Sequence, residues 1–361
     1  MSIDDRVHRR VRAEIRSLHA YGVADARGLI KLDAMENPYT WPEEIRSAWL
    51  EHLRTVDVNR YPDPAASALQ SRLREVMDVP RGQSVLLGNG SDELIQMILL
   101  ALALPDAVVL APTPTFVMYD MTARFAGMKF IGVPLRAGDF SLDLETTLDA
   151  IREHDPAVIF LAWPNNPTGN LFDRADVEAI LAEASGLVVV DEAYHAFAGA
   201  SFMDRLGDFE NLVVMRTVSK LGLAGLRLGL LAGPAPWLNE FNKVRLPYNI
   251  NVLTQATAEF VLGRRDWLEQ QTAYIRSERT RVAQALASLP AVRQWPSAAN
   301  FILFRVERRA AADIHSGLRD AGILIKNLDG SHPLLAGCLR VTIGTPQEND
   351  AFLAALKKLC G

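Results

Sequence analysis

Cysteine is nearly missing from this sequence, and its scarcity sets aside two classes of protein at once. The two that occur, Cys338 and Cys360, lie in no CxxC pair and have no histidine at metal-ligand spacing. Neither a disulfide framework nor a structural zinc is expected. Long apolar runs are scarce too. The longest, "LIQMILLALAL" (94–104), is too short to cross a bilayer and contains Gln96, so it reads as a buried helix. Positive charge is not in excess: 38 Lys and Arg face 43 Asp and Glu, a formal net charge of −5. Nothing electrostatic draws the chain as a whole to nucleic acid or to an anionic membrane, and small-molecule chemistry is the better expectation. The first residues, "MSIDDRVHRRVRAEIRSL", lack an apolar signal core, and Asp4, Asp5 and Glu14 do not suit a transit peptide. A cytoplasmic protein is expected. The 7 histidines show no ligand spacing either, and no metal is expected.

What is present fits an ordinary globular chain. At 361 residues and 49% hydrophobic, it is long enough for a large core and about two domains. The arginine-rich start reads as a helix rather than a nucleic-acid-binding tail. Ile3, Val7, Val11, Ile15 and Leu18 form an apolar stripe with the 3.6-residue period of an amphipathic helix docked on the body, its arginines in solvent.

From about 82 to 232, apolar runs alternate with helical stretches: "SVLLG" (84–88), "AVVLA" (107–111), "KFIGVPL" (129–135), "AVIFLAW" (157–163), "LVVVD" (187–191), "LVVMR" (212–216) and "LRLGLLAG" (226–233). Several are apolar throughout, as strands covered on both faces are. The pattern predicts an α/β domain with a mostly parallel, seven-stranded sheet between helices. After "PYNINVLTQ" (247–255) a long helical stretch runs to about 289, followed by "NFILFRV" (300–306), a helix near 310–321, "ILIKN" (323–327), "CLRVTIG" (338–344) and the helix "ENDAFLAALKKL" (348–359). That is a smaller α+β unit. The expected division is an N-terminal helix or arm over 1–30 packing with the small unit, a large domain over 31–252 and a small domain over 253–361.

In an open α/β sheet the ligand sits beyond the carboxyl ends of the strands, and there the sequence carries chemistry. "GNGSDELIQMILL" (88–100) is either a capped helix with Ser91 or Asp92 as N-cap, or an anion cradle of backbone N–H groups at a helix start. "WPNNPTGN" (163–170) is a turn that can also hold Asn165 and Asn166 over the sheet edge as amide donors. "VVVDEAYH" (188–195) ends a strand on Asp191, either a helix cap or a carboxylate with a cationic partner, with the phenol of Tyr194 three residues on. "RTVSKLGLAGLRLG" (216–229) contains Thr217, Ser219 and Lys220 among apolar and small residues, with no acid in the stretch. Burying such a lysine lowers its pKa and yields the neutral amine that attacks aldehydes. Together these groups supply an amine, an acid, a phenol, an amide and an anion cradle, the set that pyridoxal 5′-phosphate requires.

On these residues the sequence resembles the fold-type I, aspartate-aminotransferase-like enzymes that depend on pyridoxal phosphate. The resemblance runs from "LDAMENPY" (32–39) through "RYPDP" (60–64), "GNGSDE", "PTFVMY" (114–119), "PNNPTG", "VVVDEAYHAF" and "RTVSKLGLAGLRLG" to "GCLRVTIGTPQEN" (337–349). "ENPY", "RYPDP" and "CLRVTIGT" look most like the histidinol-phosphate branch. The resemblance implies that Lys220 bonds the cofactor aldehyde, that Asp191 pairs with the pyridine nitrogen and that Asn166 and Tyr194 reach the ring hydroxyl. It implies that Gly90, Ser91, Asp92, Thr217, Ser219 and Arg227 hold the phosphate, while Tyr61 reaches the phosphate of a neighbouring subunit in a homodimer. Phe116 stands where the family usually stacks a tyrosine, and Lys326 where it often has a second arginine beside the substrate-anion arginine, Arg340. Tyr21, Asn37, Tyr248 and Asn249 are candidates for the imidazole end or the substrate wall. The substrates implied are histidinol phosphate with glutamate and 2-oxoglutarate; the neighbouring alternatives are an aromatic aminotransferase, threonine-phosphate decarboxylase and, more remotely, a non-catalytic cofactor-binding regulator. One spacing departs from the pattern. Arg227 follows Lys220 by seven residues, where related enzymes commonly have eight. Either the intervening loop takes a tighter path, or Thr217, Ser219 and the helix start at 91 carry more of the phosphate.

Overall fold

The computed structural model describes residues 1–20 and 22–360. Its larger sheet has seven strands: β2 (Ser84–Gly88), β3 (Val108–Thr113), β4 (Lys129–Pro134), β5 (Val158–Ala162), β6 (Leu187–Asp191), β7 (Leu212–Thr217) and β8 (Gly229–Gly233). They lie in the order β2-β8-β7-β6-β5-β3-β4. Pairs β3–β4, β3–β5, β5–β6 and β6–β7 are parallel, whereas β8 runs antiparallel to both β7 and β2. All seven coincide with the runs read from the sequence, within a residue or two for most and three at the start of β8.

The continuous apolar runs have a simple cause. Alternate residues of a strand point to opposite faces, and both faces here are covered. Ile159, Leu161, Val188, Val190 and Val214 join one core cluster, while Val158, Phe160, Leu187, Val189 and Val213 join another on the opposite side. Each such side chain contributes roughly 1.5–3 kcal/mol by leaving water, so polar replacement anywhere along β5 or β6 is expensive. The exceptions stand at the carboxyl ends, where Asp191 and Thr217 close their strands.

A second sheet has the order β1-β11-β12-β10-β9, made of β1 (Ile30–Leu32), β9 (Val292–Gln294), β10 (Phe301–Val306), β11 (Ile323–Asn327) and β12 (Cys338–Thr342). Helices Arg265–Ala287, Ala311–Asp320 and Pro346–Cys360 cover it through Ile275, Val282, Ile314, Phe352 and Leu356. β1, which contains the expected boundary at residue 31, pairs in parallel with β11. The short strands β1 and β9 carry too few residues for a period to show. The long helical stretch is interrupted near Gly263, giving Val252–Leu262 and Arg265–Ala287.

The N-terminal segment does form a helix, Ile3–Arg10, with a capping box between Ser2 and Asp5. Of its stripe, Ile3, Val7 and Val11 are exposed, whereas Ile15 and Leu18 are partly buried. Within the 1–30 arm, Arg12 donates to the carbonyl of Phe125 in the large unit, while Ile30 at its end donates to the carbonyl of Gly322 in the small one at 2.8 Å. Among the described residues no helix is long and apolar enough to cross a membrane.

Candidate active site

A cavity of about 410 Å³ opens at the carboxyl ends of β5, β6 and β7, and Ser91, Asp92, Phe116, Asn166, Asp191, Tyr194, Thr217, Ser219, Lys220 and Arg227 all line it. These residues span 137 positions of sequence, from 91 to 227, and the parallel sheet brings them together because each follows a strand in the same direction.

Asp191 closes β6 and is 4% exposed. Its Oδ2 accepts from the hydroxyl of Tyr119 at 2.7 Å and its Oδ1 from the backbone N–H of Ala193 at 3.0 Å. Burial pushes its carboxyl up to about 6, against the lowering effect of those two hydrogen bonds. Its neighbour Glu192 is fully buried and faces elsewhere, bound by Arg216 at 2.8 Å and by Ser201.

Lys220 sits on a 3-10 turn just past β7. Burial, then the positive charge of Arg340, brings its ammonium down to about 8, with Glu36 acting in the opposite sense. Its Nζ lies 3.5 Å from the carbonyl of Ala34 and 5.8 Å from the centre of the Tyr194 ring. A substantial neutral fraction near neutral pH makes it a nucleophile and a proton acceptor.

The helix Ser91–Leu102 presents its N-terminus to the same cavity, capped by Gly90 with φ of 86°. The positive φ favours glycine, and so does the space: a Cβ at Gly90 would lie 2.7 Å from Nη2 of Arg227. The shortened loop therefore still delivers Arg227 to the helix start. It does so through a left-handed residue, Arg227 itself at φ 49°, closing the turn Ala224–Leu226. The guanidinium meets Asp92 at 3.2 Å. Thr217 Oγ1 accepts from the N–H of Ser219 at 3.1 Å and pairs with its hydroxyl at 2.9 Å, fixing two hydroxyls beside this helix end. Backbone N–H groups, hydroxyls and a guanidinium in one corner suit a phosphate.

Arg340, on β12, stands behind Asn166 rather than on the cavity wall. It donates to Asn166 Oδ1 and, at 3.1 Å, to the carbonyl of Asp33, and lies 5.1 Å over the Phe301 ring. Lys326 is its register partner on β11 and is exposed. The remaining expected wall residues are elsewhere. Asn37 donates to Gln271 at 2.9 Å, Asn249 bonds Glu93 at 2.7 Å and Leu87, and Tyr248 stacks on Tyr61 at 4.4 Å, both exposed. Tyr248 and Asn249 line a different cavity of about 320 Å³. Tyr21 lies outside the described residues. Asn165, read beside Asn166 as a donor over the sheet edge, is instead fully buried and bonded to Pro114 and Thr168.

Two contributors were not singled out from the sequence. One is Tyr119, which lies in the quoted "PTFVMY" three residues after Phe116 and packs edge-on to it at 5.6 Å. The other is the wall Ala34–Met35–Glu36, just before the "NPY" of "ENPY". Met35 is left-handed, with φ of 54°, and is held by Thr342 and Asn300; nothing in its side chain announces that geometry.

This fold and this cavity define an aminotransferase of the kind built on a lysine at the edge of a parallel sheet. The chain belongs to the family "Aminotransferase class I and II", whose model matches residues 27–356. Within it, the chain is 56% identical over 353 residues to histidinol-phosphate aminotransferase 2 of Nitrosococcus oceani, covering 98% of each chain. It is also 56% identical to histidinol-phosphate aminotransferase 1 of Ralstonia nicotianae, over 99% of this chain and 97% of the relative. Among solved structures it is similar to histidinol-phosphate aminotransferase from Sinorhizobium meliloti in complex with pyridoxal 5′-phosphate, with a TM-score of 0.85, 25% identity and 97% of each chain covered. The L-threonine-O-3-phosphate decarboxylase of Porphyromonas gingivalis shares the fold at a TM-score of 0.78 and 22% identity over 92% of this chain and 99% of that one.

Proposed function

We propose that this protein is a pyridoxal-phosphate-dependent aminotransferase that moves the amino group of L-histidinol phosphate to 2-oxoglutarate, giving imidazole acetol phosphate and L-glutamate. The observation that carries the reading is Lys220, a buried amine brought down to about 8, sharing one cavity with the buried carboxylate of Asp191 and a helix N-terminus.

The residues fit the cofactor: Gly90, Ser91, Asp92, Thr217, Ser219 and Arg227 would hold its phosphate, Asp191 its ring nitrogen, Asn166 and Tyr194 its ring oxygen, and Phe116 would stack on the ring. When bound, pyridoxal phosphate supplies an aldehyde that condenses with amines and a ring that withdraws electrons from the bonds of the attached carbon. The protein does the rest. With the cofactor in place, Lys220 Nζ would be the amine that bonds its aldehyde and the base that takes the proton from the substrate Cα. Asp191 would hold a proton on the ring nitrogen through a charge-assisted bond of roughly 1.5–3 kcal/mol. Arg340, whose planar guanidinium suits both phosphate and carboxylate, would turn from behind Asn166 to hold the anionic end of either substrate, with Lys326 as a further contact. The exposed Tyr61–Tyr248 stack would be covered by a second copy of the chain, each copy lending Tyr61 to the other's phosphate corner.

The test is glutamate formation from histidinol phosphate and 2-oxoglutarate, run beside phenylalanine and threonine phosphate. Turnover of either of those with none of histidinol phosphate would replace the substrate assignment while leaving the chemistry intact. Cofactor bound without turnover of any amine would favour a regulator.

A further inference from the structure

Asp191 is served by a residue outside the set that lines the cavity. Tyr119 is fully buried on the helix Met118–Ala126 and gives its hydroxyl to Asp191 Oδ2 at 2.7 Å. Its ring is fixed from two sides, stacked on Phe160 at 4.6 Å and edge-on to the cavity residue Phe116 at 5.6 Å. With Oδ1 taken by the N–H of Ala193, each carboxylate oxygen has a donor from within the protein, and the orientation of the group is set from behind.

We propose that Tyr119 is the positioning residue of the cofactor acid: its hydroxyl holds Asp191 as a carboxylate, so that the proton shared between Asp191 and the ring nitrogen stays on the ring. The inference rests on the proposed function for the identity of the ring. The direction follows from which form the bond favours. A hydroxyl can donate to an ionised carboxylate oxygen at full strength, and this lowers the proton affinity of the acid. The opposing influences are burial and the negative charges of Asp92 and Glu192, the latter closed off by Arg216 at 2.8 Å. Tyr194 and Lys220 face the same cavity from the other elements around it. The phenol of Tyr119 is itself pushed well above 10, first by burial and then by the charge of Asp191, so it remains a donor across the working range of pH.

Without the hydroxyl, Asp191 becomes the stronger base of the pair and draws the proton off the ring. Tyr119→Phe keeps both ring contacts and removes only the donor. Two readouts need no turnover. The first is the affinity of the apoprotein for pyridoxal phosphate against pH, whose acid limb should move up by about 1 to 2 pH units, the equivalent of one charge-assisted hydrogen bond. The second is the nitrogen-15 resonance of bound, ring-labelled pyridoxal phosphate, which should move from the pyridinium towards the neutral pyridine position. 3-Fluorotyrosine at 119, a stronger donor of nearly the same shape, should shift both in the opposite sense, and it carries the test should the Phe variant fold poorly. Superimposable profiles for the parent and a folded, cofactor-loaded variant would assign Tyr119 to packing alone. A parent protein that takes up no pyridoxal phosphate would overturn the proposed function and this inference with it, whereas uptake by the parent with an unmoved variant overturns only the role of Tyr119.

Discussion

The floor and the rim of the cavity are built differently. Asp191, Thr217, Ser219 and Lys220 end or directly follow β6 and β7, and the sheet fixes where they stand. The rim candidates come from loops: Asn37 is engaged by Gln271, Asn249 by Glu93, and Tyr61 and Tyr248 stack in the open. Strand ends repeat in a parallel sheet, so residues far apart in sequence converge. Loops have no such constraint, and their polar groups find partners in the scaffold first.

The division breaks most sharply at Lys220. Lys220→Ala should abolish the borohydride-trapped bond to the cofactor and lower kcat by about 10⁴-fold or more, since both the attachment and the proton acceptor are lost. Stability should change by no more than about 1 kcal/mol, because the ammonium has no carboxylate partner within salt-bridge distance among the described residues to leave unpaired. The pH dependence has a definite sign. With the folded amine at about 8, the rate of cofactor attachment to the apoprotein should rise about tenfold per pH unit up to 8 and level off above it. The same group makes the apoprotein more stable as pH rises from 8 towards the unfolded value of about 10.4, because over that window the unfolded chain binds more protons.

Adjacent carboxylates sharpen the contrast. Glu192 is bound by Arg216, Ser201 and the N–H of Phe202 beneath the floor. Glu192→Ala leaves the Arg216 guanidinium buried and short of its carboxylate, and should cost about 3–5 kcal/mol of stability, read by urea unfolding. Asp191→Asn should do the reverse: little change in unfolding, but a loss of roughly 1.5–3 kcal/mol in transition-state stabilisation, about 10- to 150-fold in kcat/KM. Equal damage to stability from both would erase the distinction between floor and foundation.

The sequence made the floor legible because its residues sit at the ends of apolar runs, where a lone Asp or Lys stands out. The central strands of the large sheet were readable for a related reason: a strand buried on both faces announces itself in β-branched and aliphatic residues, whereas β4 at the sheet edge is mostly not buried. Tyr119 was hidden because an aromatic inside an apolar stretch looks like core, and it is core on one face; only the placement of its hydroxyl distinguishes it. Arg227 was ambiguous because its reach depends on a left-handed turn that a one-residue deletion does not encode. The N-terminal stripe has the period of a docked helix, yet a period states which face is apolar without naming what covers it.

Between floor and rim lies the corner proposed to hold the cofactor phosphate, where Arg227 is half exposed and already engaged with Asp92. Arg227→Ala should weaken cofactor affinity by roughly tenfold, about 1.4 kcal/mol, because the backbone N–H groups of the helix and the two hydroxyls remain. A hundredfold loss would move the guanidinium from support to principal anchor.

The smallest effect is expected at the loop candidate Asn249, which lines the neighbouring cavity. Asn249 gives its amide to Glu93 and Leu87 and accepts from Arg245 at 2.9 Å, so the side chain has most of its hydrogen bonding committed to the loop. Asn249→Ala should cost about 1 kcal/mol of stability, a normal hydrogen-bond loss, and leave cofactor affinity and KM within about twofold of the parent. The informative result is the opposite pair, an unchanged unfolding midpoint with KM raised tenfold for histidinol phosphate alone. That would mean the loop releases Asn249 to the substrate on binding. The rim would then be a second half of the site that forms around its ligand, and its separation from the floor would end on binding.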